Sequence, residues 1–102
     1  MATTSEFMEK IAPALAEADA TVKKMFGEYG VYAQGKMYAV ICDNRFLVKI
    51  TPSSEALLPD APRELPYAGA KPMLRADETD RELMKALAVR VPADLPAPRK
   101  RK

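Results

Sequence analysis

The sequence predicts one α+β domain: a mainly antiparallel sheet, a four-strand meander plus a further short strand, with N-terminal and C-terminal helices and a short middle helix. Three observations carry this expectation. Apolar residues recur at helical spacing near both ends, first Phe7, Ile11, Leu15 and Ala18, later Leu83, Ala86, Leu87 and Val91. Between residues 21 and 51 the pattern changes to short β-favouring runs separated by turn residues. Pro59, Pro62, Pro66 and Pro72 then break up a connection in which no long element fits. A chain of 102 residues has room for one core, burying roughly 60–70% of its unfolded surface.

Taken in order, Thr3 followed by Glu6 has the form of a capping box, in which each side chain satisfies a free amide at a helix start. Pro13 lies inside that helix and removes one backbone hydrogen bond, so a kink or a restart is expected. The β-favouring runs cover residues 22–26, 30–33, 36–42 and 45–50, with residues 26–29 forming a tight turn or bulge. Asp43-Asn44 can adopt the positive φ angles of a two-residue hairpin, which sets Cys42 opposite Arg45. Gln34-Gly35 can close the preceding hairpin and sets Tyr32 opposite Met37. Thr51-Pro52 reads as the N-cap and first residue of a helix that Pro59 limits to one or two turns. Residues 73–76 supply the further strand. Thr79 and Glu82 repeat the capping-box pattern before the last helix, which Pro92 is expected to end. The domain is thus expected over residues 1–92, with residues 93–102 a Pro-rich basic tail without fixed structure.

The Asp43-Asn44 register sorts the meander into two faces. Ile41 with Phe46, Ala39 with Val48, and Met37 with Ile50 form a fully apolar face, suited to packing under helices. Tyr38, Val40, Cys42, Arg45, Leu47 and Lys49 form the other, which is mixed.

Composition excludes several chemistries. With no histidine, Ser-His and Cys-His nucleophile pairs are absent in their usual form, and one cysteine offers no thiolate cluster for zinc. Asp77, Glu78, Asp80 and Glu82 could hold a hard cation, but at a helix start they are explained by the dipole and free amides. Cys42 would be reactive only in a cationic setting, and a structural thiol is the simpler reading. No catalytic residue, metal or cofactor is expected. A single cysteine cannot form an intramolecular disulfide, and no apolar run is long enough to span a bilayer, so the expected location is the cytoplasm, away from membranes. The net charge of +2 owes much to the terminal basic run; without it the body is slightly acidic.

Met25-Phe26-Gly27-Glu28-Tyr29-Gly30-Val31-Tyr32, then Gly35-Lys36-Met37, then the stretch from Ile41 through Asp43-Asn44-Arg45 to Lys49, resemble the N-terminal domain of the TfoX/Sxy family. Tyr67 and Gly69-Ala70-Lys71-Pro72 extend the likeness, which covers about residues 6–92. Glu28 departs from it, standing where the family often has another glycine. The resemblance implies an α+β domain with helices around an antiparallel sheet. It also implies a bacterial regulator resembling those of natural competence, working through a protein partner in transcription and not through catalysis. Regulators of the family carry a second, C-terminal domain, so this sequence resembles a standalone N-terminal one.

Two binding readings follow, with an enzyme or small-ligand domain, its pocket sought at residues 67–71, as a third. The mixed sheet face around Tyr38, Val40 and Leu47 is too apolar to be left wholly solvated, and is expected to meet a protein partner or a second copy of the chain. The alternative is direct nucleic-acid binding through Lys23, Lys24 and Lys36 in the meander and Arg99, Lys100, Arg101 and Lys102 in the tail.

Overall fold

The computed structural model describes residues 3–25, 28–66 and 69–95. Its elements are α1 (Ser5–Glu17), β1 (Thr21–Met25), β2 (Glu28–Ala33), β3 (Lys36–Cys42), β4 (Arg45–Val48), α2 (Pro52–Leu57), β5 (Arg63–Glu64), β6 (Met73–Ala76) and α3 (Arg81–Asp94). The strands form one antiparallel sheet in the order β1-β2-β3-β4-β6-β5, and the expected α+β class is the one observed. The two-residue β5 was not expected, because prolines on both sides leave no alternating run to read.

The hairpin turns form as their chemistry dictates. Gln34 and Gly35 have φ of 55° and 77°, Asp43 and Asn44 of 55° and 59°, the paired positive values of a turn that matches strand twist. Tyr32 lies opposite Met37, and Cys42, Ile41 and Ala39 lie opposite Arg45, Phe46 and Val48, all as expected. Met25 lies opposite Glu28; Phe26 and Gly27 between them are outside the described residues.

Capping follows the rules but not always at the expected residue. Thr4, not Thr3, caps α1, its hydroxyl accepting from the Phe7 amide at 3.2 Å. Thr3 instead reaches across to the β3–β4 turn, where its hydroxyl accepts from the Asn44 amide, while the Thr4 amide donates to Asn44 Oδ1 at 2.9 Å. The Glu28 carboxylate accepts from the amides of Thr3 and Asp43, and so ties the segment before α1 to the same turn. Asp80, not Thr79, caps α3 through the Leu83 amide, because Asp77 has already taken both the Thr79 amide and its hydroxyl. Thr51 and Ser54 form the capping box of α2, which spans the expected one to two turns.

Neither internal proline ends its helix. α1 runs through Pro13 without a restart, and α3 runs through Pro92 to Asp94, two residues beyond the expected domain boundary. At Pro92 the missing amide frees the Ala88 carbonyl, and the Gln34 side chain donates to it at 3.3 Å and to the Val89 carbonyl at 3.0 Å. Lys36 Nζ then donates to the carbonyls of Pro92 and Leu95 at 3.0 and 2.9 Å, placing a cation at the negative end of the helix dipole. The β2–β3 hairpin therefore supplies what the proline removed.

All three helices pack on one face of the sheet. Phe7, Ile11 and Leu15 of α1 and Met84, Leu87 and Val91 of α3 meet Val31, Ile41, Phe46, Val48 and Leu74, all buried in one cluster. Tyr38 belongs to that cluster as well, which overturns its expected place on the opposite face. The β2–β3 ladder shifts by one residue between Val31 and Tyr32, leaving Tyr38 as the extra residue of a bulge, and a bulged residue escapes strict alternation. Its ring meets Phe46 edge-on, with centroids 6.4 Å apart. The same slip turns Met37 away from the core.

The Tyr38 hydroxyl has no hydrogen-bond partner among the described residues, and burial pushes its pKa well above the usual phenol range. Tyr38→Phe removes a buried donor that nothing satisfies. It is expected to raise the unfolding free energy by about 1 kcal/mol in a urea or thermal melt. A loss of stability would count against the orphaned hydroxyl.

Candidate functional site

The face of the sheet away from the helices carries a cleft of about 630 Å3. Its floor is Met37 and Val40 of β3, Lys49 and Ile50 just after β4, and Met73 of β6. One wall is the Pro-rich segment, through Pro66, Ala70, Lys71 and Pro72; Leu95, just past α3, borders it as well. Strand alternation brings Val40 to this face, the bulge at Tyr38 adds Met37, and Lys49 follows directly after β4.

Two cations of the sheet hold the borders in place. The Arg45 guanidinium donates to Glu64 Oε1 at 2.8 Å and to the carbonyls of Leu65 and Pro66 at 3.2 and 3.5 Å, pinning the Pro-rich wall. Arg75 adds a longer contact to Glu64 at 3.6 Å. The bond from Arg45, with lesser help from Arg75, holds the Glu64 carboxyl below its ordinary pKa. At the other border, Lys36 holds the Leu95 carbonyl. Glu64 thus pairs with both Arg45 and Arg75, whereas Lys49 and Lys71 make no ion pair among the described residues.

The residues expected from sequence to carry binding do not all meet here. Val40 is half-buried and lines the cleft. Leu47 is on this face by alternation but fully buried, so it supports the floor and is not itself a contact surface. Tyr38 is fully buried on the helix side and drops out. Lys23 and Lys24 are exposed on β1, and alternation sends them to opposite faces; the Lys23 ammonium lies over the Tyr32 ring at 5.2 Å. Lys36 is engaged by the end of α3 and is not a free phosphate contact. Arg99, Lys100, Arg101 and Lys102 lie outside the described residues, as does Tyr67.

The remaining candidates have structural explanations. Asp77 and Asp80 hold the turn and cap before α3, and Glu78 pairs with Lys10 at 3.3 Å. Cys42 is buried; burial first, and then the Glu28 carboxylate, push its thiol pKa up, away from the reactive thiolate. No described helix is long and apolar enough to cross a membrane.

Sequence reasoning pointed to residues 67–71 for a small-ligand pocket, and Ala70 and Lys71 do line the cleft, but it missed Met37, Ile50, Met73 and Leu95. Alternation in β6 could have placed Met73, since Leu74 and Ala76 are both core-like. Gln34 and Lys36 also carried a readable signal: a proline inside a helical pattern leaves a carbonyl in need of a donor.

Residues 14–72 match the family model of the TfoX N-terminal domain. An uncharacterized 12.7 kDa protein in the trpE 5′ region of Spirochaeta aurantia is 37% identical over 87 residues, covering 79% of this chain and 74% of that protein. The matched span runs from the second half of α1 through β5 to the Pro-rich wall of the cleft, and so contains both hairpin turns and Arg45 with Glu64. The chain belongs to the TfoX N-terminal domain family.

Proposed function

We propose that the chain is a non-enzymatic regulatory module that works by binding a protein partner through the helix-free face of its sheet, centred on the cleft. The observation that carries this reading is the one-sidedness of the fold. Every described helix packs on the opposite face, while Met37, Val40 and Met73 line an open depression on this one, with Ile50 and Leu95 at its edge against the core. Membership of a family associated with competence regulation supports a regulatory role. Direct nucleic-acid binding is the weaker reading, because Lys36 is bound to α3 and Lys23 and Lys24 face opposite ways.

The test is Val40→Glu, which sets a carboxylate in the cleft floor at a half-buried position. Affinity capture from a native extract, with a nuclease-treated sample in parallel, is expected to lose the partner retained by the unaltered chain, by about tenfold or more. Thermal melting of the variant separates lost binding from lost folding. Retention of the same partners by a folded Val40→Glu variant would sink the proposal, and a partner set that disappears with nuclease would favour nucleic acid.

A further inference from the structure

We infer that the cleft is a preformed site for a small amphipathic organic anion, an apolar chain ending in one carboxylate. Three observations converge on that chemistry. At about 630 Å3 the cleft falls within the size range of small-molecule sites. Its floor is largely aliphatic, and Met37 and Met73 bring flexible, polarizable side chains that adapt to an alkyl body. Among the described residues the charged groups lining it are Lys49 and Lys71, with no carboxylate in the lining and no ion pair to either lysine.

Charge complementarity therefore selects the headgroup. A cation would be repelled by both ammonium groups, and a neutral hydrocarbon would cover apolar floor without pairing either. A carboxylate seated toward the lysines, with its chain over Val40 and Met73, satisfies both features. Arg45 already holds the wall at Leu65 and Pro66, and Lys36 holds the Leu95 border, so these two edges need no ordering when a ligand enters. This inference rests on the partner reading only in placing the working surface at the cleft; the ligand is a small molecule, and its binding is measured with no partner present.

The experiment is an NMR titration of the full chain with dodecanoate below its micelle-forming concentration, with dodecylammonium, dodecanol and octanoate as comparators. Saturable shifts at Met37, Val40, Ile50 and Met73 are expected. Dodecylammonium and dodecanol should bind about tenfold more weakly or worse, since they lack the charge-assisted contact. Octanoate should lose up to about fourfold for each methylene removed. Lys71→Glu, at an exposed position, should weaken dodecanoate about tenfold without altering the melting temperature, and Lys49→Gln should weaken it in the same sense.

Equal affinity for all three headgroups would overturn the inference. So would non-saturating shifts, or shifts centred on Met8 and Val22 in the shallow hollow between α1 and β1. If dodecanoate fails while Val40→Glu still abolishes partner capture, the ligand is wrong and the partner reading stands. If dodecanoate binds as expected while Val40→Glu leaves capture unchanged, the ligand site stands without that reading.

Discussion

Replacing Phe46 by Ala is expected to lower the unfolding free energy by about 3–5 kcal/mol, the usual cost of emptying a fully buried aromatic site. Phe46 lies opposite Ile41 in the middle of the sheet and meets the edge of the Tyr38 ring. Its loss therefore removes apolar burial and an aromatic pair together. Because domains of this size have about 5–15 kcal/mol in total, the melting temperature should fall by on the order of 20 °C, and the weakest outcome is a chain largely unfolded on warming. Phe46→Leu retains most of the volume and should lose only about 1–2 kcal/mol. Equal losses for the two variants would show that the edge contact, and not the filled volume, dominates at this site.

The second large effect is expected at Arg45, whose guanidinium is mostly buried and fixes the Pro-rich wall. Arg45→Ala removes the bond to Glu64 and the contacts to two backbone carbonyls, and should cost about 2 kcal/mol. More telling is where the loss appears. Hydrogen exchange should quicken at the amides of Leu65 and residues 69–71 while the β3–β4 ladder stays protected. Arg45→Lys should rescue only part of this, because a single ammonium cannot span a carboxylate and the carbonyls as a planar fork does.

Arg45 also sets a pH signature. The Glu64 carboxyl is held below its ordinary value chiefly by the Arg45 bond. A carboxyl depressed in the folded state adds stability above its unfolded pKa, and that contribution is lost as pH falls through the folded value. The unaltered chain should thus lose stability as pH drops below about 4, and Arg45→Ala should show a smaller loss over the same range. Asp77 and Asp94 are also depressed, by bonds from Thr79 and Ser53, so the difference between the two chains, not either curve alone, isolates Glu64. Parallel curves would mean that the Arg45–Glu64 bond adds nothing in solution.

Local signals were legible wherever the deciding groups are neighbours in sequence. Asp43-Asn44 and Gln34-Gly35 needed only their own backbone freedom to fix two hairpins and the pairings nearest to them. Thr51-Pro52 needed only Ser54, three residues on, to start α2. The cap positions were off by one because another group engages the expected residue, distant Asn44 at Thr3 and neighbouring Asp77 at Thr79. The candidate site was half legible: the face was identified from the β3–β4 register, but one of its three named residues belongs to the core and another lies beneath the cleft floor.

By itself the sequence determined the α+β class, the meander and its turns, and membership of a family recognisable from the residues around those turns. Only the tertiary structure decided that Tyr38 enters the core, that α3 passes through Pro92, and that a cleft opens on the other face. Each depends on a pairing between distant segments: a bulge on the β2–β3 ladder, donors from a hairpin to a helix end 54 to 59 residues away, and one arginine on a Pro-rich wall. Such pairings form only after the chain has folded, when the whole sheet trades one strand's strict alternation for a fuller core.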